Sequence, residues 1–163
     1  MASTSESRMT FSARGDRELV MERVFDAPAE RIFNAYVDPE QVPHWFGPAM
    51  LTTTVDHIDP RLGGTWRFVL HAADGGEYGF RGEFREIDRP TRLVSTFEFE
   101  GMPGQVKVDS LTLDKRDGKT RATAVSRFES KEERDDGLSD GDMESGARES
   151  WNRLAALVEG GAE

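Results

Sequence analysis

The sequence contains no cysteine. That excludes disulfides, thiolate-bound zinc and a cysteine nucleophile at once. Histidine is scarce. His44, His57 and His71 are scattered without metal-ligand spacing, so no metal site is expected. No apolar run approaches the ~18 residues of a membrane span, and the opening MASTSESRMT lacks the hydrophobic core of a signal peptide. Basic charge is in deficit: 21 Lys and Arg against 31 Asp and Glu leave a net charge of −10. A nucleic-acid partner needs clustered Lys and Arg and is not expected. From Glu129 to the end eleven acids face four bases, so most of the excess lies on and before the last helix, where a solvated outer face accounts for it. The motifs GxSxG, HExxH and a Walker-type loop are absent, and Gly63-Gly64 and Gly75-Gly76 are too short to cradle a phosphate. No catalytic residue and no cofactor are therefore assigned. We expect a cytoplasmic protein with a disordered leader over residues 1–16 and one domain over 17–160.

What the sequence does have is a long amphipathic segment at its end, DMESGARESWNRLAALVE, from Asp142 to Glu159. Met143, Ala147, Trp151, Leu154 and Val158 recur at helical spacing on one face. Glu144 with Arg148, and Glu149 with Arg153, stand at the favourable i,i+4 spacing. Asp142 is the expected N-cap and Gly160-Gly161 the stop. The apolar face needs a partner.

The rest of the chain supplies one. Glu18 to Phe25 alternates as a first strand, with Arg23 the exception on its apolar face; it either pairs with an acid at the sheet edge or points into a cavity. Asp26-Ala27-Pro28 starts a helix to about Val37, with Pro28 at its first position. Asp38-Pro39 starts a second, shorter one that ends at Trp45-Phe46-Gly47-Pro48. From Met50 the period switches to two. Strands are expected through Leu51, Thr53 and Val55, and over Thr65–His71, Glu77–Ile87, Arg92–Phe99, Val106–Lys115 and Thr120–Phe128. Parity changes between Val108 and Leu111, which predicts a bulge near Asp109-Ser110. The charged segment Lys131 to Asp142 has room for one helical turn. Short turns between strands make the sheet antiparallel. The expected fold is α+β: a curved antiparallel sheet of about seven strands wrapped around the long C-terminal helix, with two short helices after the first strand.

The stretch RVFDAPAERIFNAYVDPEQVPHWFGP resembles the opening of the activator-of-heat-shock-protein-ATPase-homologue-like family, within the SRPBCC superfamily of START and birch-pollen-allergen-like proteins. Arg23, Phe25, Ala27, Pro28, Asp38, Pro39, Trp45, Phe46, Gly47 and Pro48 match its pattern position by position. GGTWRF from Gly63 and the run from Gly82 to Gly101 resemble its central strands. The resemblance implies the helix-grip fold. It implies several functions rather than one, since the family holds small-ligand binders and polyketide cyclase-like proteins. The co-chaperones that give the family its name carry a further N-terminal domain, and the short leader here points away from that role.

Trp66, Phe68, Tyr78, Phe80, Phe84, Phe97 and Phe99 place their rings on one sheet face. With Trp151 they form either a filled core or the lining of an apolar cavity. Gly146 and Ala147 on the last helix bear on the choice: small residues opposite large rings either let the helix approach closely or leave volume unfilled. The candidate cavity lining is Trp45, Phe46, Trp66, Phe68, Tyr78, Phe80, Phe97, Phe99, Met143, Gly146, Ala147 and Trp151. Tyr78, Ser95, Ser150 and Arg67 or Arg81 are candidate polar groups near its mouth. Asp56 and His57, adjacent on a strand, point to opposite faces and are not expected to act together. His71 faces away from the rings. The expected partner is a small hydrophobic or aromatic molecule, lipid included. The alternatives are a polyketide cyclase-like enzyme, which needs an acid–base group inside the same cavity, and a chaperone-regulating module with a protein partner.

Overall fold

Alternating stretches become strands wherever a neighbouring strand can take their backbone groups, and the computed structural model, which describes residues 9–139 and 141–160, shows eight of them. They are β1 (Thr10–Arg14), β2 (Glu18–Phe25), β3 (Thr52–Ile58), β4 (Thr65–His71), β5 (Glu77–Asp88), β6 (Arg92–Phe99), β7 (Val106–Arg116) and β8 (Lys119–Arg127). One curved antiparallel sheet runs in the order β1-β2-β8-β7-β6-β5-β4-β3. The crossover from β2 to β3 carries helix α1 (Ala29–Val37) and a 3₁₀ turn (Val42–His44); α2 (Lys131–Ser139) and α3 (Asp142–Gly160) follow β8. This is the expected helix-grip arrangement, with α3 against the sheet's concave face.

Several expectations are corrected. The leader is not disordered throughout: Thr10–Arg14 pairs with β2, Thr10 opposite Glu22 and Arg14 opposite Glu18, while residues 1–8 lie outside the described residues. TFSAR shows little hydrophobic alternation, and the edge of β2 supplies the pairing instead. The hairpin is held from behind by Arg134 of α2, which is buried and donates to the carbonyls of Gly15 and Glu18 at 3.1 and 3.0 Å. That contact also anchors α2, which is longer than one turn. Pro28 occupies the cap position rather than the first helical one, with φ −72° and ψ 152°.

No register shift interrupts β7, whose pairing runs unbroken along β6 and β8. The bulges fall elsewhere, between Val55 and His57 on β3 and between Phe84 and Glu86 on β5. The side chains of Lys107, Asp109, Leu111 and Leu113 therefore share the inner face.

On α3, Trp151, Leu154, Ala155 and Val158 are buried. Trp151 sets its ring edge-on to Phe25 at 5.4 Å. Arg23 is buried and is not among the residues that line the cavity. It donates to the Asn152 side chain at 2.8 Å and lies over the Phe25 ring at 5.0 Å. Arg31 of α1 donates to the carbonyl of Val158 at 3.0 Å, satisfying an orphan group at the helix C-terminus. Glu144 and Arg148 pair at 2.8 Å as expected. Glu149 and Arg153 do not pair; both turn to the loop after Trp45, as described below. The Ser145 N–H donates to the carbonyl of Gly141, one residue ahead of the expected cap. The side chain of Asp142 and the whole of Gly161 lie outside what is described.

Candidate functional site

Between α3 and the concave face lies a cavity of about 560 Å3. That is within the ~300–1,000 Å3 of small-molecule pockets. One wall is aromatic. Trp66 and Phe68 on β4, Phe80 on β5 and Phe97 on β6 meet at centroid separations of 4.7 to 5.7 Å. The loop after the 3₁₀ turn closes one end. Trp45 is buried with its indole N–H on the carbonyl of Ala35 at 2.9 Å, and Phe46 sets its ring edge-on to Phe68 at 5.1 Å. That loop is tied to α3 by three hydrogen bonds. The Gly47 N–H donates to Ser150 Oγ at 3.0 Å, the Ala49 N–H to Glu149 Oε2 at 2.9 Å, and Arg153 to the Gly47 carbonyl at 2.8 Å. Gly47 has φ +92°, and a Cβ there would stand 2.9 Å from Leu70 Cδ2, so glycine suits the turn.

The roof is the first half of α3: Met143, Gly146, Ala147, Ser150 and Trp151. A Cβ on Gly146 would meet nothing within 4 Å. The glycine therefore leaves volume open rather than permitting a close approach.

Of the residues proposed from sequence, Trp45, Phe46, Trp66, Phe68, Phe80, Phe97, Met143, Gly146, Ala147 and Trp151 border this space together. Tyr78 and Phe99 do not. They share the inner parity but sit at the far ends of β5 and β6, beside the loop at Gly101, with Tyr78 41% exposed. Ser95 and Ser150 are on the wall. Arg67 and Arg81 are on the outer face: Arg67 forks onto Glu100 at 2.7 and 2.9 Å, and Arg81 reaches Glu98 at 3.2 Å. The Arg67 hydrogen bonds hold the Glu100 carboxyl below the usual carboxylate range. Asp56 and His57 do meet, at 2.8 Å, because the bulge on β3 breaks the alternation that would separate them; both are exposed. His71 bonds Thr54 at 3.0 Å, away from the cavity lining. Among the described residues no three His, Asp or Glu converge as metal ligands.

Beside the rings on the same concave face, β7 and β8 bring polar side chains to the lining, with Lys107 paired across the ladder to Phe97. Lys107 Nζ lies 3.2 Å from Asp109 Oδ1 and donates to Ser126 Oγ at 3.2 Å. Ser126 in turn donates to Asp109 Oδ1 at 2.7 Å. The ammonium sits 4.5 Å from the centre of the Phe97 ring. Tyr36 of α1 joins the lining, its oxygen accepting the Trp151 indole N–H at 2.8 Å. Burial pushes the Tyr36 phenol well above its ordinary range; the Trp151 hydrogen bond opposes this and the Asp109 charge adds to it. Tyr36 therefore stays protonated and remains a donor. The Lys107–Asp109 pair was not among the expected site residues, because the bulge predicted at Asp109-Ser110 breaks the parity that unites it. The strict alternation of Lys107, Asp109, Leu111 and Leu113 is the signal that reveals it.

The geometry is that of a helix-grip protein with a lined cavity, and the sequence relationships agree. The profile of the family described as activator of Hsp90 ATPase homolog 1-like protein matches residues 26–159. The chain belongs to that family. Among solved structures, a Mycobacterium smegmatis protein is 28% identical, with a TM-score of 0.79 over 91% of this chain and 97% of its own. A Chromobacterium violaceum protein is 27% identical, with a TM-score of 0.79 over 88% and 97%. A Rhodobacter sphaeroides protein, 21% identical, shares the fold with a TM-score of 0.86 over 94% and 100%. No curated protein sequence matches significantly. Among the described residues of this family member, no helix is long and apolar enough to cross a membrane.

Proposed function

We propose that the protein binds a small hydrophobic or aromatic molecule in the cavity between the sheet and α3. The observation that carries this reading is the open space above Gly146. A helix that packed only to fill a core would place a side chain there. The lining residues Trp66, Phe68, Phe80 and Phe97 then act as ring-stacking and apolar contacts, and Met143 as an adaptable one. The test is a thermal-shift screen with a mixed lipid and aromatic library, run on the wild type and on Gly146→Leu. Stabilisation of the wild type that is lost in the variant supports the reading. A screen in which no compound raises the wild-type midpoint, or in which the variant responds equally, overturns it.

One observation favours a second reading, a polyketide cyclase-like enzyme. A cyclase needs a group inside the cavity that moves a proton, and Lys107, Asp109 and Tyr36 are there. Turnover of a linear poly-β-carbonyl substrate that disappears in Asp109→Asn, with uptake intact, would decide for the enzyme. Absence of turnover in the wild type decides for the binder. The chaperone-regulator reading draws on the family's name alone.

A further inference from the structure

The polar wall narrows the class of ligand, and this inference rests on the binding reading above. Lys107 and Asp109 form a pair of net zero charge on a wall that is otherwise apolar, serine and tyrosine. Both are only partly covered, with side chains 18% and 34% exposed. Neither is saturated. An ammonium has three donors, and those of Lys107 reach Asp109 and Ser126. Lys107 and Ser126 both meet the Asp109 carboxylate at Oδ1, so Oδ2 is available as an acceptor. Tyr36, close enough for the Asp109 charge to act on it, brings a protonated hydroxyl. The wall thus offers donors and an acceptor together, directly beside the rings of Phe80 and Phe97.

We propose that the ligand is an uncharged aromatic molecule carrying a hydroxyl oxygen, and that this oxygen seats at the Lys107–Asp109 pair. A hydroxyl both accepts from the ammonium and donates to Oδ2. A purely apolar ligand strips water from the pair and returns no hydrogen bond. A carboxylate brings a second negative charge beside Asp109 with one cation to share. The pair therefore selects by what it leaves unsatisfied as well as by what it bonds.

Three probes of one size separate these cases: 2-naphthol, 2-methylnaphthalene and 2-naphthoate, titrated calorimetrically into the full chain. The wild type is expected to bind 2-naphthol about tenfold tighter than 2-methylnaphthalene, the factor that one charged hydrogen bond supplies, with 2-naphthoate weakest. Lys107→Met erases the preference for 2-naphthol and leaves 2-methylnaphthalene at least as tight. Asp109→Asn, which keeps the shape and the bond to Ser126, leaves Lys107 uncompensated and moves 2-naphthoate from last to first. A loss of packing in either variant weakens all three probes together and does not reorder them. Equal binding of 2-naphthol and 2-methylnaphthalene to the wild type, or an unchanged order in Asp109→Asn, overturns this inference while leaving the cavity reading intact. No binding of any probe to the wild type overturns both.

Discussion

From Trp151 onward α3 buries Trp151, Leu154, Ala155 and Val158 almost completely, whereas its earlier turns hold Met143, Gly146, Ala147 and Ser150 half-buried over the cavity. The late half is fixed by packing and by polar partners that reach it from elsewhere: Arg23 to Asn152, Arg31 to the Val158 carbonyl, and the Asp26 N–H to Glu159 at 2.9 Å. The early half is fixed mainly at its margins. Arg148 donates to the Met9 carbonyl at 3.0 Å, and Ser150 takes the Gly47 N–H. One helix thus serves as a clamp at one end and as the roof of an open volume at the other. Stability and the capacity to hold a ligand are separable along its length, and substitutions should separate them.

The largest effect is expected at the clamp. Trp151→Ala removes the ring packed on Phe25 and the hydrogen bond to Tyr36, and should destabilise by about 3–5 kcal/mol in denaturant unfolding. A loss under about 1 kcal/mol would mean that the late half does not dock as described. Next comes the junction. Gly47→Ala imposes a side chain at φ +92° against Leu70 and should cost about 1–3 kcal/mol, with faster amide exchange across residues 46–49. Unchanged exchange there would detach the loop from the comparison. Ser150→Ala leaves the Gly47 N–H without its acceptor and should cost roughly 1 kcal/mol. A neutral result would show that water replaces the hydroxyl freely. The smallest stability change is expected over the cavity. Gly146→Leu removes a helical glycine into open space and should leave stability unchanged or raise it by about 1 kcal/mol, yet abolish uptake of aromatic probes. A marked loss of stability would show that the early half is packed like the late one.

The least expected part of the site lies beside the rings, on β7 and β8. The aromatic wall was legible in the sequence because strands β4 to β6 repeat large rings at every second position. Tyr78 and Phe99 obey the same parity and still fall outside the lining, because parity assigns a face but not a distance along the strand. The polar wall was not legible for a different reason. Val108 and Leu111 read as a change of face, which a bulge would explain. The continuous ladders to β6 and β8 make Val108 an outward residue and carry Lys107 and Asp109 inward. The converse holds on β3, where a bulge that nothing in TTTVDHI announces brings Asp56 and His57 together.

By itself the sequence determined the class of fold, the strand and helix order, the seven long strands to within a residue or two, the apolar stripe of α3 and the small residues that relieve it. These depend on local periodicity, which a single segment carries. The tertiary structure decided which strands are bulged, that Thr10–Arg14 joins the sheet, that Glu149 and Arg153 turn to the Gly47 loop rather than to each other, and that a charged pair stands beside the rings. Each of these is a property of two or more segments at once. A bulge exists only against a partner strand, an edge strand only against an edge, and a charged pair beside the rings only once β7 has paired with β6.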